Sequence, residues 1–162
     1  MLLITQKMEQ IRYAELMRVY AETNREYGKQ VYPKSSEAER LLFAEQDLYD
    51  YLRFVLMSGG WFAAWKTSDG YQSALRLEPY KDGLLITALE TAPEVRLMGY
   101  ADALLSGIRQ NFASSVIYAH IFNDNKISVH LHEKNGFVRI ENCAEFIDGT
   151  VSYDACTYRL KN

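Results

Sequence analysis

Residues 84–112 read LLITALETAPEVRLMGYADALLSGIRQNF, so an apolar run is joined to an amphipathic run through a turn. The run Leu84–Leu89 has the length of a buried strand and is too short for a typical helix. Pro93 follows, and proline lacks the N–H that a sheet ladder requires. After Gly99, apolar side chains recur at helical spacing on one face, at Ala101, Leu104, Leu105, Ile108 and Phe112. The stretch therefore predicts a strand, a tight turn and a helix.

The turn at Gly99 has the features of an anion site. Where a helix begins, several backbone N–H groups lack intrahelical partners and the helix dipole favours negative charge. Gly99 and Ala101 are small, so a phosphate can approach the backbone closely. Taken alone, the same pattern fits an ordinary strand-to-helix turn of an α/β protein.

A second stretch, residues 125–137, reads NKISVHLHEKNGF. As a short helix it places Asn125, Ser128 and His132 on one face, because they are three and four residues apart. Gly136 can take the left-handed conformation that often ends a helix. One face therefore carries an amide, a hydroxyl and an imidazole, which predicts a polar recognition surface.

Together the two stretches resemble the GNAT family of acyl-CoA-dependent N-acyltransferases. Arg96-x-x-Gly99-x-Ala101 is similar to the pyrophosphate-loop motif of that family, Arg/Gln-x-x-Gly-x-Gly/Ala. Residues 125–137 are similar to its second CoA-side motif, N-x-x-A/S-x-x-x-Y-E-K-x-G-F, with His132 in the place of the usual tyrosine. The ordered pair of motifs, separated by one helix and one strand, is more specific than either motif alone.

The periodicity of the whole chain predicts an α/β (α+β) fold in the order β-α-α-β-β-β-α-β-α-β-β. Strands are predicted at 2–5, 61–66, 71–78, 84–91, 116–122, 137–147 and 151–160. Helices are predicted from 13 to 28, from a Ser36–Glu39 capping box to Ser58, from 100 to 112, and after Asn125. Asp148-Gly149 joins the last two strands as a hairpin signal. The resemblance implies a mixed, mostly antiparallel sheet of about seven strands with helices on both faces, in which strands 84–91 and 116–122 splay apart around acyl-CoA.

Length and composition point to one globular domain over residues 1–162. Apolar residues make up 48% and charged residues 24%, and the net charge of −3 does not favour non-specific nucleic-acid binding. No apolar run reaches the roughly 18 residues of a membrane span, and no signal-peptide pattern is present. Cys143 and Cys156 lack metal-ligand spacing, so we interpret them as reduced thiols of a cytoplasmic protein without a metal site.

The resemblance implies direct transfer of an acetyl group from acetyl-CoA, the co-substrate, to a primary amine of a small molecule or peptide. It implies that backbone N–H groups hold the pyrophosphate, from Leu97, Met98, Gly99, Tyr100 and Ala101. Arg96 would add charge, and the alternative for it is a solvated surface arginine. A strand N–H between Leu89 and Thr91 would polarise the thioester.

Asn125 and Ser128 would border the pantetheine arm, and the alternative for Asn125 is a helix N-cap. We hypothesise that His132 protonates the departing thiolate, since the last turn of a helix favours the charged imidazole. In the alternatives, His132 only positions the sulfur, or the proton comes from Tyr100, Tyr118 or solvent.

The residue that removes the amine proton is less defined. Glu90 ends the central strand and could face the amine, whereas the alternatives are a paired strand-end carboxylate and a water chain. His120 is interpreted as a satisfied core or sheet-face histidine, and His130 as exposed.

The acceptor site in this family is built from the first two helices and the last strand pair. Here those regions supply tyrosines and acids that suit a cationic amine, or that serve packing and solvation. The amine itself cannot be predicted, and a homodimer is left open. Two other functions remain, which are a CoA-binding module without turnover and a partner-binding domain without a CoA site.

Overall fold

A computed structural model of the protein describes residues 1–160. Its strands are β1 Leu2–Thr5, β2 Trp61–Thr67, β3 Gly70–Tyr80, β4 Gly83–Thr91, β5 Ile117–Phe122, β6 Phe137–Glu141, β7 Ala144–Glu145, β8 Val151–Ser152 and β9 Ala155–Leu160. Its helices are α1 Tyr13–Val19, α2 Ala21–Val31, α3 Glu37–Met57, α4 Tyr100–Asn111 and α5 Lys126–Lys134. No helix within the described residues combines the length and the apolar character needed to cross a bilayer.

Seven strands form one sheet in the order β1-β2-β3-β4-β5-β9-β6, and β7 pairs separately with β8. Every strand pair of the large sheet is antiparallel except β4 with β5. This mixed, mostly antiparallel α/β architecture confirms the predicted fold class.

Helices cover both faces of the sheet because the apolar side chains of its central strands alternate between two cores. Leu104 and Leu105 of α4 pack on one face with Leu77 and Ile86. Leu16 of α1 and residues of α3 pack on the other face against Phe62 and Ala64 of β2. The capping box predicted at Ser36 is present and begins α3.

The centre of the sheet opens between β4 and β5. Residues Leu84–Ile86 of β4 pair with residues Ile117–Ala119 of β5, and the two strands do not pair beyond Ile86. On its other side, β4 shifts register against β3 at a bulge that includes Ala88, whose φ is +49°. A bulge bends a strand and increases its twist. The predicted splay between these strands is therefore present, beginning after Ile86.

The predicted helix over residues 13–28 is wrong as a single element, because it breaks at Tyr20. That residue has φ −94° and ψ 17°, and its side chain is only 2% exposed. Its hydroxyl donates to the carbonyl oxygen of Ala88 at 2.7 Å. The break thus coincides with a contact to the β4 bulge that local periodicity cannot reveal.

The last two predicted strands, 137–147 and 151–160, are also wrong as continuous elements. β6 pairs with β9, whereas β7 and β8 form a small hairpin of their own around Asp148-Gly149. Tyr80 donates to the carbonyl oxygen of Glu145 at 2.8 Å, and Thr157 donates to that of Cys143 at 2.7 Å. These tertiary bonds hold the β7–β8 hairpin against the sheet, next to the open centre.

Candidate functional site

The gap between β4 and β5 leads into a cavity of about 550 Å³. Asn125, Ser128 and His132 of α5 line one side of it. The other side is lined by Tyr51 of α3, by strand residues and by Phe146 of the β7–β8 hairpin. Since α3 and the α4–α5 layer pack on opposite faces, the cavity passes through the sheet. Two molecules could therefore meet in it from opposite faces.

His132 is almost completely buried, with 3% of its surface exposed. Its Nδ1 lies 2.8 Å from the carbonyl oxygen of Ser128, and because a carbonyl only accepts, Nδ1 must carry a proton. The Nε2 atom is buried and has no hydrogen-bond partner within residues 1–160. Burial lowers the pKa of His132, and the bond to Ser128 only partly opposes this. Near neutral pH the ring is therefore neutral, with a free lone pair on Nε2.

This electrostatic state corrects the prediction that the helix end favours the charged imidazole. A helix C-terminus contributes at most a modest stabilisation of a cation, whereas removal from water acts directly on the charged form. Here desolvation is the larger effect. A neutral His132 with its proton on Nδ1 accepts a hydrogen bond at Nε2 and does not offer one.

Asn125 is the N-cap of α5, as the alternative interpretation held. Its side-chain oxygen accepts the backbone N–H of Ser128 at 3.1 Å. Ser128 in turn places its hydroxyl 3.3 Å from the Nδ1 atom of His132. Both residues border the cavity, so the residues that cap α5 also form part of the cavity wall.

The N-terminus of α4 presents backbone N–H groups next to an open loop. Gly99 is the N-cap with φ +84°, and a Cβ added there would meet no heavy atom of the described residues within 4 Å. The first helical bond runs from the N–H of Ala103 to the Gly99 carbonyl oxygen, so the N–H groups of the preceding three residues have no place in that ladder. Leu97 precedes this turn, also at positive φ (+66°), and is 97% exposed. The loop can therefore receive an anion without rearrangement of packed side chains.

A contact that sequence reasoning missed joins this helix start to α5. The carboxylate of Asp102 accepts from Lys134 Nζ and from Asn135 Nδ2, each at 2.8 Å. These two bonds lower the pKa of Asp102. The only signal in the sequence was an acid in the first turn of α4 and a lysine within the second motif. The contact fixes the start of α4 relative to α5, the helix that carries His132.

Arg96 and Glu90 are engaged by α2 rather than by the cavity. Arg96 Nη2 lies 2.5 Å from Glu22 Oε2, and Glu90 accepts the hydroxyl of Thr23 at 2.6 Å. Burial raises the pKa of Glu90, while the Thr23 bond and Arg96 oppose that rise. Arg96 is thus an ion-paired surface residue, and neither side chain borders the cavity. Their roles in pyrophosphate binding and in proton removal stay predictions.

The remaining candidates are distributed unevenly around the gap. Leu89 lines the cavity, whereas the hydroxyl of Thr91 bonds to Ser73 at 3.2 Å. Tyr118 donates to Asp82 at 2.6 Å, and this bond lies at the paired end of the strands. Its hydroxyl is therefore turned away from the splay, which argues against Tyr118 as a proton donor.

His120 contradicts the interpretation of a satisfied core residue. Both of its ring nitrogens are buried and have no hydrogen-bond partner among the described residues. The ring meets Tyr80 and Phe146 edge-on, at centroid distances of 5.2 and 5.6 Å, and it lines the cavity. Burial lowers its pKa, and Lys81 adds to that effect. His130 is exposed, as predicted.

A second cavity of about 380 Å³ lies between α2, α3 and β4. It shares Tyr51, Arg76 and Ala88 with the first cavity, so the two meet at the β4 bulge. Asp47 lies in its wall and accepts the hydroxyl of Tyr27 at 3.2 Å. This cleft gives a route to the sheet centre from the face opposite α5.

Comparison with known proteins relates this geometry to one family. The model of the acetyltransferase (GNAT) family matches residues 16–137. A comparison with curated proteins gave no match.

Solved structures with a similar fold cover all or most of the chain. PaiA N-acetyltransferase from Thermoplasma acidophilum, in complex with coenzyme A, is 14% identical with a TM-score of 0.63, covering 100% of this chain and 99% of that one. A GNAT-family acetyltransferase from Bacillus cereus ATCC 10987 is 16% identical with a TM-score of 0.64, covering 100% and 98%. A GNAT-family acetyltransferase from Elizabethkingia anophelis with acetyl-CoA bound is 16% identical with a TM-score of 0.54, covering 70% and 82%.

Proposed function

Because the chain belongs to the acetyltransferase (GNAT) family, we propose that it transfers the acetyl group of acetyl-CoA directly to a primary amine of a small molecule or peptide. The observation that carries this proposal is the cavity through the sheet, where the α5 side chains and the α3 side meet at the splayed strands. The acyl donor approaches from the α4–α5 face, and the amine approaches from the face of α2 and α3.

The features around α4 and α5 fit acetyl-CoA. The pyrophosphate is assigned to the backbone from Leu97 to Ala101, where Leu97 is exposed and the N–H groups of Tyr100 and Ala101 lie outside the helical ladder. The pantetheine arm is assigned to the gap beside Asn125 and Ser128. The similar T. acidophilum and E. anophelis enzymes hold coenzyme A and acetyl-CoA, which supports this assignment.

The thioester would be polarised by a backbone N–H of β4 near Leu89, since parallel pairing to β5 stops at Ile86. As the nitrogen–carbon bond forms, the attacking nitrogen gives a proton to Nε2 of His132. The imidazolium then gives that proton to the sulfur as the carbon–sulfur bond breaks. In this scheme His132 is an acid only after it has been a base, because its resting Nε2 carries no proton.

The first test is calorimetric titration of acetyl-CoA into the wild type and into Gly99→Trp. We expect saturable binding to the wild type and loss of binding in the variant, because an indole at Gly99 occupies the path of the pyrophosphate. Gly59→Trp is the matched control. Gly59 also has positive φ (+87°) and open surroundings, so it carries a similar backbone cost of roughly 1–2 kcal/mol without affecting the loop.

Absence of wild-type binding at millimolar acetyl-CoA would contradict the proposed function, whereas equal loss in both variants would contradict only the assignment of the pyrophosphate to the Gly99 loop. Where binding is found, release of free thiol is measured with spermidine, L-methionine and an alanyl dipeptide as acceptors. Thiol release that depends on one of these amines would establish transfer.

A second candidate function is acetyl-CoA binding without turnover. The specific observation in its favour is that neutral His132 holds no proton for the leaving thiolate at Nε2. Tight binding of acetyl-CoA, without amine-dependent thiol release from a broad amine panel, would support this alternative.

A further inference from the structure

We propose that His120 removes the proton from the ammonium form of the acceptor amine, on the side of the sheet opposite His132. This role rests on the proposed function and adds a second proton acceptor to it. The ammonium nitrogen loses one proton to an imidazole nitrogen of His120, and the neutral amine then attacks the thioester carbon. The proton on His120 returns to solvent before the next turnover.

The position of His120 along β5 places it at the opening of the splay. Ala119 is the last β5 residue that pairs with β4, opposite Ile86, so His120 is the first residue beyond the pairing. If the β4–β5 register continued, His120 would lie opposite Thr87. That residue begins the segment of β4 that no longer pairs with β5, and this segment also lines the cavity. His120 therefore borders the segment to which the thioester is assigned.

The direction of the side chain separates its role from that of His132. Ala119 and Ile121, the neighbours of His120, belong to the core under α4. His120 points to the opposite face, where its ring contacts Tyr80 and Phe146. An amine that enters from the α2–α3 cleft meets this face first, while acetyl-CoA and His132 lie on the other.

The other ionisable groups on the acceptor side of this cavity are already engaged. Glu78 accepts from the Tyr51 hydroxyl at 2.8 Å, and Arg76 Nε lies 3.3 Å from the same carboxylate. Asp148 accepts the backbone N–H and the hydroxyl of Thr150. Within residues 1–160, His120 differs from these groups because both of its polar atoms are buried without a partner. Such atoms in native proteins call for an explanation, and a substrate proton supplies one.

The charges around His120 leave it neutral and able to accept a proton. Lys81 disfavours the imidazolium and acts in the same direction as burial, whereas Glu141 and Glu145 oppose both. Lys81 Nζ also lies 3.4 Å from Glu145 Oε2, which reduces the net field of this pair at the ring. The pKa of His120 is lowered as a result, so a lone pair is available near pH 7.

The test compares His120→Gln with wild type across pH 6 to 9, using the amine among spermidine, L-methionine and the alanyl dipeptide that the wild type acetylates fastest. We expect kcat/KM for that amine to fall on the order of 100-fold at pH 7, the lower range for general base catalysis. The deficit should shrink as rising pH supplies neutral amine. His130→Gln, an exposed histidine on α5, is the matched control and should retain the wild-type rate.

Two further measurements separate proton removal from packing. The acetyl-CoA dissociation constant of His120→Gln should match the wild type, because His120 lies on the other face. In His120→Gly, added imidazole should restore turnover in proportion to its concentration. A wild-type rate and pH profile in His120→Gln would overturn the role of His120 alone, as would failure of imidazole rescue. Absence of turnover in the wild type would instead overturn the proposed function, and this inference with it.

Discussion

In the proposed reaction, His132 handles the proton differently from the tyrosine that the GNAT resemblance implies at this position. A tyrosine, with a free pKa of about 10, stores a proton until a thiolate needs it. Neutral His132 keeps its single proton on Nδ1, which donates a hydrogen bond to the Ser128 carbonyl oxygen, so in the proposed reaction Nε2 first takes a proton from the reacting nitrogen. Histidine suits such a relay because its ring can take up and release a proton, and the lowered pKa of His132 favours release of that proton to the sulfur.

Replacement of His132 by Phe tests this relay. We expect turnover at saturating acetyl-CoA and amine to fall about 100-fold, because neither removal of the nitrogen proton nor protonation of the sulfur is assisted. The ring packs edge-on against Phe137 at 5.1 Å, so an aromatic replacement retains much of the contact. Steady-state thiol release measures the effect, with His130→Phe on the same helix as control. Unchanged turnover in His132→Phe would exclude the relay.

Strand β4 carries the feature on which the cavity depends. A strand that continued to pair with β5 beyond Ile86 would close the sheet, and the bulge at Ala88 bends β4 away. Ala88 has φ +49°, a conformation that costs an alanine free energy and is harder still for a β-branched residue. The bond from Tyr20 to the Ala88 carbonyl helps to hold this geometry.

Ala88→Val and Ala88→Gly form a matched pair that tests the bulge. We expect Val to weaken acetyl-CoA binding and to lower the free energy of unfolding by about 1–2 kcal/mol, since the branched side chain opposes positive φ. Gly should retain binding without that loss, because glycine adopts positive φ readily. Calorimetry and urea denaturation give the two quantities. Equal behaviour of the two variants would show that the bulge does not control the gap.

Taken as a whole, the molecule holds two histidines whose pKa values folding lowers, the half-buried His120 and the buried His132. The unfolded chain therefore binds more protons than the folded one as pH falls below about 6.5. By linkage, stability rises with pH in that window and is lost as pH falls through it toward the folded-state pKa values. Near and above pH 7.5, both histidines are neutral in both states and this dependence ends.

We accordingly expect the free energy of unfolding to decrease between pH 7.5 and pH 5.5. Each histidine contributes a slope of at most about 1.4 kcal/mol per pH unit. Urea denaturation at several pH values measures it, and the double variant with His120→Gln and His132→Gln should show a shallower slope. Because Glu90 is present in both proteins, its opposite linkage cancels in the comparison. Parallel slopes would contradict the neutral state of these two histidines.

Most of the element order followed from local signals in the sequence. The capping box at Ser36, the hairpin signal at Asp148-Gly149 and the positive φ expected at Gly136 each depend on a few neighbouring residues of the chain. The failures fell where distant contacts decided local geometry. The predicted first helix breaks at Tyr20, whose hydroxyl bonds to β4. The predicted strands 137–147 and 151–160 are each divided in two, and the bonds to the carbonyl oxygens of Cys143 and Glu145 lie in the first of them.

The sequence by itself determined the family, the fold class and the loop around Gly99, because each is encoded in patterns of neighbouring residues. Only the tertiary structure decided the protonation of His132, the burial of the unpartnered His120 ring nitrogens among the described residues, and the partners of Arg96 and Glu90. Those properties depend on which groups lie within hydrogen-bond distance and on how much water is excluded. Burial and hydrogen bonding between elements are set by the packing of the sheet and its helices, and no local pattern in the chain records them.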